Sequence, residues 1–99
     1  MPDLPGEPFS PPVAKKLIKA ILADGALLFP RHAQEEMKKE KPPLLDADCL
    51  NVLHGGAIQP AELENGSWRY RVQTQKITVV IAFLSKTKLV LVTAWRNTQ

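Results

Sequence analysis

Cysteine is nearly absent from this chain. The single Cys49 excludes an internal disulfide, and one cysteine with two histidines is too few for a structural four-ligand zinc site. Aromatic residues make up only 6%, so the position of each one carries information about stacking and packing. No apolar run approaches the roughly 20 residues of a membrane span. The opening segment, Met1 to Pro12, is proline-rich and acidic where a secretion signal would be basic and then apolar. A glycine-rich phosphate loop, a metal motif and a Ser-His-Asp signature are all missing. These absences point to a cytoplasmic protein that needs neither metal nor cofactor.

What remains is enough for one folding unit. A chain of 99 residues buries about two-thirds of the surface it exposes when unfolded, and is too short for two independent cores. Its hydrophobic content of 44% and charged content of 23% are those of an ordinary globular domain. Thirteen Lys and Arg against ten Asp and Glu give a net charge of +3, which suits a polyanionic partner only weakly, so the placement of the arginines matters more than their number.

Five prolines, at positions 2, 5, 8, 11 and 12, make residues 1–12 a flexible arm, and residues 13–99 read as a single α+β domain. Ser10 before Pro11 resembles an N-cap with proline in the first turn, and Val13, Leu17, Ile18, Ile21 and Leu22 recur at helical spacing up to Gly25. Lys15, Lys16 and Lys19 form the solvated side of that helix. Ala26 to Phe29 reads as a short strand, and Pro30 precedes a second helix that starts near Arg31 and ends before Pro42. Its acidic residues Glu35 and Glu36 come early and Lys38, Lys39 and Lys41 late, as the helix dipole favours. Asp46 is placed to cap a third helix carrying Cys49, Leu50, Val52 and Leu53, closed by Gly55 and Gly56.

After Ile58 the period changes. Asn65-Gly66 signals a turn into Trp68-Arg69-Tyr70-Arg71-Val72, and Ile77 to Leu84 and Leu89 to Trp95 are two apolar, β-branched runs joined by a polar turn. The expected architecture is N-terminal helices packed on an antiparallel sheet of three or four strands.

Alternation along a strand places Trp68, Tyr70 and Val72 on one face and Arg69, Arg71 and Gln73 on the other. Two arginines at that spacing set their guanidinium forks about 7 Å apart, close to successive phosphates of an extended nucleic-acid strand. Arg96 ends the last strand and is a candidate to join them. Guanidinium stays charged at working pH and grips phosphate oxygens bidentately, which suits backbone binding and the stabilisation of a phosphorane alike. The alternative is that these arginines are simply the wet face of a sheet. His32, at a strand-to-helix junction, is the better candidate for acid-base chemistry, because His54 lies at a helix C-terminus where capping suffices. Cys49 reads as a core thiol, Trp68 and Tyr70 as core aromatics, and Trp95 as a ring available to stack on a base.

The basic first helix, the block Gly25-Ala26-Leu27-Leu28-Phe29-Pro30-Arg31-His32-Ala33 with Met37, the strand Trp68-Arg69-Tyr70-Arg71-Val72 and the closing Thr93-Ala94-Trp95-Arg96 together resemble domain-of-unknown-function family 4258 over residues 13–96. The resemblance implies a RelE-like toxin fold, similar to the RelE- and MqsR-type bacterial toxins, which are metal-independent ribonucleases acting on messenger RNA, often on the ribosome. It also implies a cognate antitoxin as partner, in some cases a zinc-finger protein of MqsA type. The positions carried over by its motifs are His32, Trp68, Arg69, Tyr70 and Arg96. Many members have a basic residue where this chain has Glu36, a departure expected to weaken phosphate binding or catalysis.

The expectation that follows is an endoribonuclease in which the RNA 2′-hydroxyl attacks the adjacent phosphate. His32, Arg69, Arg96 and Tyr70 form the candidate catalytic set, and Arg71, Lys76, Trp95 and Arg31 the candidate RNA-binding set. Tyr70 joins the arginines only if a β-bulge turns it to their face. The alternative is a non-catalytic nucleic-acid-binding or protein-interaction module with the same fold.

Overall fold

The computed structural model describes residues 4–97. Helix α1 spans Pro11–Asp24. Ser10 holds the N-cap position with its carbonyl accepting the Ala14 N–H at 2.8 Å, but its hydroxyl makes no capping bond. The prolines of the first turn, already fixed at helical φ, therefore define the start. Ala14, Ile18 and Ile21 are buried at helical spacing, Leu17 and Leu22 pack at the margin, and Val13 is half exposed.

At Gly25 the chain turns into β1 (Ala26–Leu28), and the Ala26 N–H bonds the Thr87 carbonyl at 2.9 Å. A Cβ on Gly25 would collide with that same carbonyl oxygen, so the close approach demands glycine. Helix α2 (Arg31–Lys38) follows Pro30, and the Gln34 side chain donates to the Phe29 carbonyl at 2.7 Å across its start. Helix α3 (Asp46–Gly55) begins differently from expectation. Asp46 is its first helical residue, and the carboxylate that caps it belongs to Asp48, which accepts the Leu45 N–H at 2.9 Å.

The remaining strands are β2 (Ala57–Ile58), β3 (Glu62–Glu64), β4 (Ser67–Gln73), β5 (Ile77–Phe83) and β6 (Lys88–Arg96). They form a sheet in the order β1-β6-β5-β4-β2, with β3 paired to β4 beyond β2. The class is α+β as expected, but the sheet has six strands rather than three or four, and β1 runs parallel to β6. The extra strands are two or three residues long, too short for periodicity to register.

Cross-strand partners share a face, so the register fixes both sides of the sheet. Tyr70, Ile81 and Leu91 make one row and Val72, Val79 and Ala94 the next, and both belong to the core with buried residues of all three helices. The opposite face carries the rows Arg71, Val80, Thr93 and Gln73, Thr78, Trp95. A register shift between Val80 and Ile81 leaves Val92 of β6 without a partner, so the bulge lies in β6 and not in β4. Tyr70 accordingly stays on the core face.

The proline-rich arm is docked over its described part. Leu4 and Phe9 pack against the core, and the Phe9 ring lies 5.6 Å from Phe83 and 6.5 Å from Tyr70, centroid to centroid. Leu4, Glu7 and Phe9 thus make side-chain contacts with the rest of the domain. Among the described residues no helix is long and apolar enough to cross a membrane.

Candidate nucleic-acid interface

The face turned away from the helices gathers Arg69, Arg71 and Trp95. Arg71 starts from β4, and its guanidinium carbon lies 5.7 Å from the centroid of the Trp95 ring on β6. The two side chains start two strands apart and lean toward each other over β5, the strand between them. On this face of β5, Val80 and Thr78 are buried at 6% and 1% exposure although no helix covers them. Thr78 adds a hydrogen bond from its hydroxyl to Asn97 Oδ1 at 2.7 Å, which satisfies the one buried polar side chain of this face.

Both arginines also touch β3. Arg71 Nε is 3.1 Å from Glu62 Oε1, and Arg69 Nη1 is 3.6 Å from Glu64 Oε2. The two pairs run diagonally across a hairpin closed by Asn65 and Gly66, whose φ values of 51° and 76° are those of the tight hairpin turn that Asn-Gly favours. The carboxylates are about three-fifths exposed, at 61% for Glu64 and 60% for Glu62, so each pair stabilises the fold by at most about 1 kcal/mol. Arg69 is the more enclosed arginine. Its Nε is buried and has no hydrogen-bond partner among the described residues.

The other candidates lie elsewhere. Arg96 stands opposite Ile77, on the helix side of the sheet. There its Nε donates to the Pro42 carbonyl at 2.7 Å and its Nη2 to the Pro43 carbonyl at 3.4 Å, while its backbone N–H bonds Glu40 Oε1 at 2.6 Å. It fastens the loop between α2 and α3 to the end of the sheet, and does not join Arg69 and Arg71 as expected. Tyr70 is fully buried. Its hydroxyl donates to Glu7 Oε2 at 2.8 Å and accepts the Phe9 N–H at 3.0 Å. Burial, with the Glu7 carboxylate adding to it, holds this hydroxyl well above the ordinary tyrosine range, against a smaller opposite effect of the Phe9 N–H. The proton is held in the core, on the face opposite Arg69 and Arg71.

His32 is exposed in the first turn of α2, a helix that buries Ala33 and Met37 in the helix-side core. It starts from the helix layer, and Arg69 and Arg71 from the far side of the sheet. Arg31 is almost wholly exposed and lies 3.4 Å from Glu35 one turn along. Lys76 is exposed in the β4–β5 turn, which the Thr74 hydroxyl and Asn97 fix in place. Trp68 packs against the core. Cys49 is buried, and burial first, then Asp46 and Asp48, push its thiol up to about 11, which makes it unreactive.

The geometry therefore joins three of the expected residues, Arg69, Arg71 and Trp95, on one face. It separates them from Tyr70 and Arg96 by the thickness of the sheet. Glu62 and Glu64 were not foreseen as part of this surface. Their signal was present: the alternation Glu62-x-Glu64 before Asn65-Gly66 and Arg69-x-Arg71 after it makes opposite charges meet diagonally across any tight hairpin. Comparison of the chain with protein-family models, with curated proteins and with solved structures finds no match.

Proposed function

We propose that the chain binds single-stranded RNA on the sheet face turned away from its helices, as an RNA-binding module of the RelE-like toxin type. Arg69 and Arg71 hold neighbouring phosphates, and Trp95 offers its ring to a base. The observation that carries this reading is the stacking of the Arg71 guanidinium over Trp95 at 5.7 Å on a face that no helix covers. A cation and an aromatic plane side by side match the phosphate and base of one nucleotide.

RNA cleavage is the second reading, favoured by the resemblance of the His32, Trp68 to Tyr70 and Thr93 to Arg96 blocks to the toxin-like family. The 2′-oxygen would attack the adjacent phosphorus and lose its proton to a base, and the 5′-oxygen would leave with a proton, giving a cyclic phosphate. Arg69 and Arg71 would then neutralise the charge gathering on the phosphorane oxygens, and the proton carrier would have to come from their own face of the sheet, because His32 starts from the helix layer. Tyr70 and Arg96 have no part in this scheme, because their polar atoms are engaged on the other face. Messenger RNA, on or off the ribosome, and a cognate antitoxin are the partners of this reading.

Fluorescence anisotropy with a labelled mixed-sequence oligoribonucleotide tests the first reading. Arg69→Ala with Arg71→Ala is expected to weaken binding and to lower the salt slope by about 1.4, or 0.7 per lost phosphate contact on a single strand. Trp95→Ala is expected to weaken binding with the slope unchanged. Affinity that is indifferent to all three substitutions would overturn the proposal. Gel analysis of the same RNA after incubation reads cleavage, and products with wild type that vanish in Arg69→Ala with Arg71→Ala would support the second reading.

A further inference from the structure

Strand β3 is an unusual covering for a binding face. It is three residues long, all of them exposed, and it pairs only with β4. Leu63, between the two glutamates, is 58% exposed, so no buried side chain anchors the strand. What it brings to the face is two carboxylates at alternate positions, about 7 Å apart, each on one arginine. A carboxylate and a phosphate present the same paired oxygens to guanidinium. Extended RNA offers phosphates at a similar interval.

Resting on the RNA-binding reading, we propose that Glu62 and Glu64 are a built-in phosphate mimic that determines which ligands gain the Arg69–Arg71 pair. A ligand with two consecutive phosphates in extended form replaces both carboxylates at once. A ligand with a single phosphate frees one arginine and leaves the other held. The Arg71 side chain stays positioned by Trp95 after the exchange, and the unpartnered Arg69 Nε–H is available to an incoming oxygen once the Arg69 side chain shifts. Glu62 and Glu64 thus tune the threshold for binding and select extended, singly stranded polyanions over isolated phosphates.

The test compares three full-length proteins against one labelled single-stranded oligoribonucleotide: wild type, Glu62→Gln with Glu64→Gln, and Asp24→Asn with Asp46→Asn. The last pair changes net charge equally at exposed sites on α1 and α3. The β3 variant is expected to bind roughly threefold to tenfold tighter than the charge-matched control, as two exposed ion pairs released together would allow. Adding Arg71→Ala to the β3 variant is expected to erase most of that gain. A gain equal to the control's overturns the mimic and leaves the RNA-binding reading standing. No measurable RNA binding by any of the folded proteins overturns the reading on which it rests.

Discussion

The Tyr70 hydroxyl donates to Glu7 Oε2 at 2.8 Å, a bond that spans 63 positions of sequence and ties the N-terminal arm to the central strand β4. With the Phe9 N–H donating to the same oxygen, the phenol is saturated. Tyr70→Phe removes this oxygen and leaves a carboxylate and an N–H without their partner, a loss of about 1–3 kcal/mol. Urea denaturation is expected to show that loss while RNA affinity stays at the wild-type level. A large fall in affinity with stability intact would place Tyr70 in the binding face after all.

Alkaline pH should act through the core. Folding raises the Cys49 thiol from 9.0 to about 11 and shifts the Tyr70 hydroxyl upward as well. In both groups the native state holds the proton more firmly than the unfolded chain does, so the unfolded chain releases protons first as pH climbs. Stability is full below about pH 9, falls between 9 and 11 as the unfolded thiol ionises, and falls further once the unfolded tyrosine follows near 10. Denaturation midpoints measured from pH 7 to 11 should trace this decline, and Cys49→Ala should flatten its first part.

Two glycines of similar appearance should respond in opposite ways. An added methyl at Gly25 meets the carbonyl oxygens of Thr87 and Ile21, both of them backbone, whereas one at Gly55 meets nothing within 4 Å. Gly25→Ala is expected to cost about 1–3 kcal/mol by forcing α1 and β1 apart. Gly55→Ala, on the last residue of α3, should be neutral or stabilise by up to about 1 kcal/mol. Thermal melts of the two variants are a direct check.

Arg96 and Arg71 should also separate. Arg96→Ala releases the Pro42 and Pro43 carbonyls and is expected to lower stability by about 1 kcal/mol with little change in RNA affinity. Arg71→Ala is expected to do the reverse, since its ion pair with Glu62 is half exposed and stabilises little. Parallel urea titrations and anisotropy measurements on the two variants decide whether the roles divide in this way.

Strand alternation was the most legible feature of the sequence. The run Trp68 to Gln73 has large apolar side chains at one parity and polar ones at the other, and the burial of Tyr70 and Val72 against exposed Arg71 follows it. The two apolar runs β5 and β6 were equally plain, because seven of their inward positions fill the core and hydrophobic patterning records burial directly. Arg96 was misplaced for a positional reason. Arg69 and Arg71 differ by two and must share a face, but the face of Arg96 depends on the register of β6 against β5, and a strand pairing with one unpaired residue cannot be counted from sequence.

The contacts of the arm were not visible in the sequence, because proline content reports which ladders a segment cannot join and says nothing of its side chains. Phe9 and Glu7 are two residues in a polar stretch, and their partners Phe83 and Tyr70 are more than sixty positions away. Short strands such as β2 and β3 escaped for a related reason. Their pairing is decided by where the neighbouring strands lie, and two or three residues hold no period of their own.

The parallel seam between β1 and β6 has a consequence for the order of folding. Ala26 to Leu28 bond Lys88 to Val90, across 62 positions of chain, and β6 sits between β1 and β5. The sheet therefore receives an interior strand late, after every helix and all five other strands have been synthesised. Until then β1 has no strand to pair with, and the edge of β5 that β6 covers lies open. Such non-local closure slows folding. A nascent chain ending before Lys88 would expose the most aggregation-prone edge in the molecule, so the hairpin β5–β6 must close quickly, through a turn of only a few residues, for the rest of the chain to be safe.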